Sequence, residues 1–215
     1  MLMVHRTTSL AAVVCMALSL VLIGCTVDRP VPTRAESVSS PQPDPSANAV
    51  RQTDSSGRRL PFTTHFPNRW SYRNDGTDYE PCTSVDPKLL VLTGFDPESV
   101  SDAALADGQT LRGCIWNGLA DSAIRLSQFL SNSKSIAEYK RNASEIYYWE
   151  PDIEIGGRTV AVGQDRDSKS CMSVVQSGRA NISTLISYSG VSGVNEDICD
   201  KVKMFTKATI GGIPE

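Results

Sequence analysis

Three short runs decide the fold: Arg158-Thr-Val-Ala-Val-Gly-Gln164, Cys171-Met-Ser-Val-Val-Gln176 and Ile182-Ser-Thr-Leu-Ile-Ser-Tyr188. Each is rich in β-branched residues and has strand length. The separating segments, Asp165-Arg166-Asp167 and Ser177-Gly178-Arg179, carry turn chemistry. Strands joined by connections this short must lie antiparallel. Upstream, residues 110–117 and 122–130 read as two more strands joined at Gly118. In the second, Ile124, Leu126 and Gln128 alternate with Ala123, Arg125 and Ser127, the pattern of a half-buried strand.

Helices flank these strands. Asp86-Pro87 places an N-cap before a proline at the first helical position, and Gly94 suits the position just past the end, so a short helix is expected at 86–93. Ser133 is expected to cap a second helix through Ile136, Tyr139 and Lys140. A third starts near Asn195, with Ile198, Val202, Phe205 and Ala208–Thr209 on its apolar face. The order α-β-β-α-β-β-β-α predicts an α+β domain of about three helices, with a mostly antiparallel sheet covered mainly on one face. Before it, Phe62, Phe66, Trp70 and Tyr72 form an extended aromatic lead-in, and Asn74-Asp75-Gly76 marks a turn.

The N-terminus carries an address. His5 and Arg6 precede an uncharged run from Leu10 to Ile23, and Leu22-Ile23-Gly24-Cys25 reads as a lipobox. Residues 1–24 are expected to be a lipoprotein signal peptide, with Cys25 the lipidated (palmitate-type acyl-bearing) residue at the mature N-terminus. The apolar run of about fourteen residues is short of the roughly twenty that a membrane span requires. Two acyl chains hold stably where one does not. Residues 25–59 follow as a disordered tether, with Pro30, Pro32, Pro41, Pro43 and Pro45 among polar residues and almost nothing large to bury. Residues 60–215 form one domain. The expected location is the extracytoplasmic face of a membrane, lipid-anchored in the cell envelope. A net charge of −3 with no basic stripe speaks against nucleic acid as a partner.

Of six cysteines, Cys15 falls in the signal and Cys25 is committed to lipid. Cys82, Cys114, Cys171 and Cys199 remain, and an even number in an exported domain reads as disulfides. Three connectivities exist. Cys82–Cys114 and Cys171–Cys199 are favoured because each pair encloses a continuous block of expected structure. Structural zinc would need closer cysteine pairs, and the mature chain has one histidine, His65. No cofactor or metal is expected.

The markers Tyr79-Glu80-Pro81-Cys82-Thr83, Arg112-Gly113-Cys114-Ile115-Trp116, Gly157-Arg158, Cys171, Cys199 and Pro214 resemble an actinobacterial, mycobacterial-type lipoprotein family built on a domain of unknown function. The resemblance covers roughly residues 60–215. It implies a mycolate-bearing envelope and an architecture similar to the PsbP/Mog1-like α+β sandwich. It implies no catalytic residues.

Several constellations have chemical readings. Ser131-Asn132-Ser133-Lys134 matches the S-x-x-K of penicillin-interacting enzymes, but no K-T-G partner follows, and a cap at Ser133 explains the stretch. A Ser-His-Asp triad would have to use His65, which sits in the irregular lead-in without a nucleophile elbow. Asp75, Asp78 and Glu80, and separately Asp165 and Asp167, offer oxygen ligands without the spacing of an EF-hand loop. Glu150, Asp152 and Glu154 could form a glycosidase carboxylate pair, but alternation is expected to place all three on one solvated face. Tyr147-Tyr148-Trp149 cannot all point inward, so this strip is either covered by the Phe62–Tyr72 lead-in or forms a binding surface. The expected function is non-catalytic binding of an envelope protein or ligand by a lipid-anchored domain. The alternatives are an envelope enzyme, such as a carboxylate-based glycan hydrolase, and a lipid or glycolipid carrier.

Overall fold

A computed structural model describes residues 50–167, 169–190 and 198–215. The signal peptide, Cys25, most of the tether and the expected helix start at Asn195 lie outside the described residues. None of the described helices is long and apolar enough to cross a membrane.

Among the described residues four α-helices and eight strands follow one another in the order α1 (Pro81–Ser84), α2 (Pro87–Leu92), β1 (Ser101–Asp102), β2 (Arg112–Asn117), β3 (Ile124–Asn132), α3 (Ile136–Asn142), β4 (Tyr147–Trp149), β5 (Ile153–Ile155), β6 (Arg158–Asp165), β7 (Ser170–Ser177), β8 (Ala180–Tyr188) and α4 (Ile198–Thr209). The strands form a single antiparallel sheet in the order β1-β2-β3-β8-β7-β6-β4, with β5 also paired to β6. The α+β class and antiparallel sheet are as the sequence predicts. The three fold-deciding runs extend by one or two residues into β6, β7 and β8.

Strand alternation gives the sheet two unlike faces. On the first, Leu126, Val162, Cys171, Val175 and Ile186 meet Ile198, Val202 and Phe205 of α4, and all eight are buried. Phe95 and Phe205 meet edge to face at 6.3 Å. Midway along the strands this face is polar: the Tyr79 hydroxyl donates to Gln128 Oε1, and Gln128 Nε2 donates to Thr184 Oγ1, with Leu130, Ala180 and Ile182 beyond them. The second face carries a smaller cluster of Ala161, Met172 and Val174. Ile136 and Tyr139 of α3, together with Tyr147 and Trp149, pack against it.

Local chemistry explains the short helices. Asp86 accepts from Lys88 N ahead of Pro87, and Gly94 follows the helix with φ +89°, a left-handed conformation that suits glycine. α3 begins differently from expectation. Its N-cap is Ser135, whose Oγ accepts from Glu138 N, while the Ser133 hydroxyl donates to Ser135 O. Ser135 has the extended backbone a cap requires and stands three residues before a glutamate, a stronger signal than Ser133 offers.

Two disulfides staple the domain: Cys82–Cys114, with Cα atoms 5.3 Å apart, and Cys171–Cys199, at 5.1 Å. The first ties α1 to β2 and the second ties β7 to α4, the favoured connectivity. The domain also begins earlier than its composition suggests. Residues 50–59, assigned above to the tether, form a turn closed by the Thr53–Arg59 bridge. Asp54 is buried there and accepts from Thr83 Oγ1 and Arg58 Nε. A polar segment is held by a buried carboxylate here, which apolar counting cannot detect.

Candidate functional site

The aromatic strip divides by strand alternation. β4 pairs with β6 so that Tyr147 and Trp149 face Asp165 and Gly163, while Tyr148 faces the opposite way. Trp149 lies over Gly163, where a Cβ would come within 2.7 Å of the indole. Its ring also meets Tyr139 edge to face at 6.2 Å and Tyr147 at 5.6 Å. The strip's cover is therefore α3 and not the Phe62–Tyr72 lead-in, because Phe62 packs on the first face. Tyr148 is 60 % exposed, with the Arg166 guanidinium 4.3 Å from its ring centre.

The carboxylates expected on one face diverge. Pro151 separates β4 from β5 and breaks the alternation. Glu150 pairs with Lys203 of α4 at 3.0 Å, and Asp152 pairs with Lys140 of α3 at 2.7 Å, across opposite faces of the sheet. Glu154 accepts from Thr159 Oγ1. The other acidic groups separate likewise. Asp75 accepts from Asn132 Nδ2, and Asp165 holds its turn through Lys169 N, Ser170 N and Ser170 Oγ. Among the described residues no group of three or more acidic, histidine or cysteine side chains could hold a metal.

Glu80 has a structural position the sequence did not signal. It is buried between Arg69 and Arg112, each 2.8 Å from Oε2, and Arg69 also reaches Asp102 at 3.0 Å. Burial alone would lower the pKa of Arg69, but hydrogen bonds and charge from Glu80 and Asp102 raise it instead. For Arg112 burial prevails and the pKa falls. Two cations and two anions thus neutralise one another beside the Cys82–Cys114 bridge. Arg69 gave no sequence signal, since a lone arginine before a tryptophan reads as surface.

A solvent-open cleft of about 870 Å³ lies between α3 and the end of β3, bounded also by the β7–β8 turn. Ser131, Ser133, Lys134, Glu138, Tyr139 and Arg179 are among its lining residues. The S-x-x-K residues thus share a cleft, but Ser131 ends a strand and Lys134 precedes the α3 cap. They do not stand one helical turn apart. His65 is exposed in the lead-in. Tyr139 is fixed at both sides: its hydroxyl donates to Met172 Sδ and accepts from Ser183 Oγ. Burial raises its pKa, against the lowering effect of the Ser183 bond, so the phenol stays protonated near neutral pH.

Beside the cleft lies a polar row on the second face. Register pairs Ser131 with Asn181, and Asn181 with Gln176. Asn181 is fully buried, and neither its Oδ1 nor its Nδ2 has a hydrogen-bond partner; Gln176 Oε1 is buried and unpartnered too. Gln176 Nε2 donates to the backbone oxygens of Ser133 and Gly178, both on the cleft wall.

No family model matches the chain, and neither does any curated protein. The solution structure of cyanobacterial PsbP (CyanoP) from Synechocystis sp. PCC 6803 is similar to it at a TM-score of 0.33, with 12 % identity, covering 56 % of this chain and 86 % of that one. At that level the likeness is weak, and the architecture above rests on this chain's own strand order.

Proposed function

We propose that this chain is a lipid-anchored cell-envelope protein, of the mycobacterial type its markers resemble, which binds a ligand or partner without chemistry on it. The lipobox at Cys25 supports the anchor. Two disulfides in a domain with no membrane-spanning helix among the described residues are consistent with an extracytoplasmic place.

The observation that carries the binding reading is the cleft between α3 and the sheet, a mostly apolar surface with a few polar and charged groups. Its lining offers hydroxyls, amides and two cations, yet Glu138 is its one carboxylate. Glycoside hydrolysis needs two. The filled interface between α4 and the sheet, where Val162, Val202 and Phe205 have no exposure, speaks against a lipid carrier with its cavity there.

Two measurements test the reading. Mass spectrometry of the mature N-terminus should find Cys25 acylated, and an unmodified cysteine or another terminus sinks the anchor. Crosslinking in intact envelope should capture a defined species that Asn142→Trp, projecting bulk from the cleft lining, abolishes. Tyr148→Ala should leave that capture intact, with both variants melting cooperatively. Capture indifferent to Asn142→Trp refutes the cleft as the binding site.

A further inference from the structure

The charge of the chain is unevenly divided, which a net figure of −3 conceals. Residues 50–73 hold five arginines and one aspartate, a net +4, so the other residues together carry −7. No basic stripe shows in the sequence, because these arginines are spread among apolar and polar residues, and the fold gathers them. Thr53 pairs with Arg59 across the first turn of the domain. Alternation then places Arg51, Thr53 and Arg59 on the outer side of that turn, with buried Asp54 and Leu60 on the inner side. Arg51, Arg58, Arg59 and Arg73 are all exposed. The one carboxylate of the stretch, Asp54, is buried and paired with Arg58. Arg51, Arg59 and Arg73 form no ion pair among the described residues.

Apolar groups stand among these charges. The Arg51 guanidinium lies 4.3 Å from the centre of the Trp70 ring. Tyr72 is 75 % exposed, and its hydroxyl accepts from Arg73 Nε. Leu105, 84 % exposed, belongs to a loop that Asn68 fastens to the lead-in by donating from N and Nδ2 to the Asp107 carboxylate. Asp75, two residues beyond Arg73, is turned to Asn132 and Arg179.

We infer that the lead-in face docks on an anionic bilayer, the one to which Cys25 tethers the chain, with Arg51, Arg59 and Arg73 on lipid phosphates and Tyr72 and Leu105 in the headgroup layer. This rests on the lipid anchor proposed above. Arginines beside an anionic leaflet each add attraction, and aromatic rings settle at headgroup level. Position in the chain favours lipid over a protein partner. The lead-in is the part of the domain nearest Cys25 in sequence, and a random chain of the length from Cys25 to Arg51 spans about 30 Å. The anchor therefore holds this face at high effective concentration over lipid, where contacts too weak to bind alone suffice. Asn132, which lines the cleft, donates to the backbone oxygens of Tyr72 and Arg73, so docking brings one wall of the cleft beside the lipid surface.

The test uses the acylated mature chain, ¹⁵N-labelled, in nanodiscs whose lipid headgroups carry a nitroxide. In discs of phosphatidylcholine with phosphatidylglycerol, the amides of Arg59, Tyr72 and Leu105 should broaden while that of Met204 on α4 stays sharp. In phosphatidylcholine alone, or at about 0.5 M salt, this selectivity should vanish. Arg59→Gln with Arg73→Gln should lower the ratio of docked to undocked chain at least about tenfold without changing the thermal melt. Should that pair disturb the melt, Tyr72→Ala with Leu105→Ser takes its place, and the ratio should fall several-fold. Arg141→Gln with Lys207→Gln removes the same charge from α3 and α4 and should leave docking as it is.

The inference is overturned if the anionic discs broaden the whole domain evenly, if the Arg141 and Lys207 pair weakens docking equally, or if a folded Arg59 and Arg73 variant docks as the parent does. Any of these with Cys25 acylated leaves the anchor standing. An unmodified Cys25 removes the anchor and the inference together. Crosslinking of this face to an envelope protein, with no broadening by lipid, assigns it to a protein partner and overturns the bilayer.

Discussion

At the residue scale the domain depends on charges placed where composition would not put them. Glu80 between Arg69 and Arg112 is a buried ion cluster, and breaking one member of such a cluster leaves an uncompensated charge. Glu80→Gln should therefore destabilise by about 3–5 kcal/mol, read as a fall in the urea midpoint. Asp54 gives a pH-dependent counterpart. Burial pushes its carboxyl up, but hydrogen bonds from Thr83, Arg58 and Ser56 outweigh burial and hold it below the ordinary 3.8. As pH falls, the unfolded chain takes up this proton first. The contribution of Asp54 is thus present above about pH 4 and lost as acidification passes its lowered folded value. Asp54→Asn should flatten the acid limb of stability below about pH 4, measured as urea midpoint against pH. Neither partnership was legible beforehand. Periodicity reports which side chains share a face, whereas the Glu80 cluster joins irregular backbone to Asp102 of β1 and Arg112 of β2, and Asp54 ties a turn to Thr83 of α1.

At the element scale, hydrophobic period and turn chemistry sufficed for β6, β7 and β8, because each is a continuous β-branched run between turn residues. They sufficed for α2 as well, where Asp86, Pro87 and Gly94 all carry end signals. Reading failed where elements were short or interrupted. Pro151 splits the outer strand into β4 and β5, so Glu150 and Asp152 leave on opposite faces instead of sharing one. α3 has seven residues, too few for periodicity to locate its start. Its true cap gives a sharp expectation: Ser135→Ala should cost about 1 kcal/mol in urea denaturation, while Ser133→Ala should cost a few tenths at most. Equal losses would mean that the hydroxyl of Ser133 shares the capping. The cleft was illegible as a whole, since its wall joins α3 to strand ends and to the β7–β8 turn, which only the folded sheet brings together.

At the scale of the whole molecule, the cysteine framework was readable because four cysteines in consecutive blocks favour local pairing. The two bridges close loops with sequence separations of 32 and 28 residues, for which the chain-entropy model gives similar contributions of about 3–4 kcal/mol. Their surroundings differ. Arg69 Nη2 lies 3.3 Å from Cys82 Sγ, so the first bridge abuts the buried ion cluster, whereas the second joins β7 to α4 through an apolar core. Replacing both cysteines of either pair by alanine should lower stability by about 2–5 kcal/mol. Loss of Cys82–Cys114 should have the larger effect, checked by comparing the two double variants in thermal melts. The C-terminus is held by a further device: the Arg158 guanidinium donates to the backbone oxygens of Ile210, Ile213, Pro214 and Gln176. Gly157-Arg158 and Pro214, noted in the sequence only as separate markers, thus meet in space.

The bridging pattern has a consequence for how the chain matures. Among the four described cysteines Cys82 joins Cys114 and Cys171 joins Cys199, so neither loop encloses or interleaves with the other. A chain that meets an oxidant N-terminus first can close each bridge as soon as its second thiol emerges, and vectorial pairing then yields the native set. Such a protein should reach its oxidised form without an isomerase to reshuffle misplaced bonds.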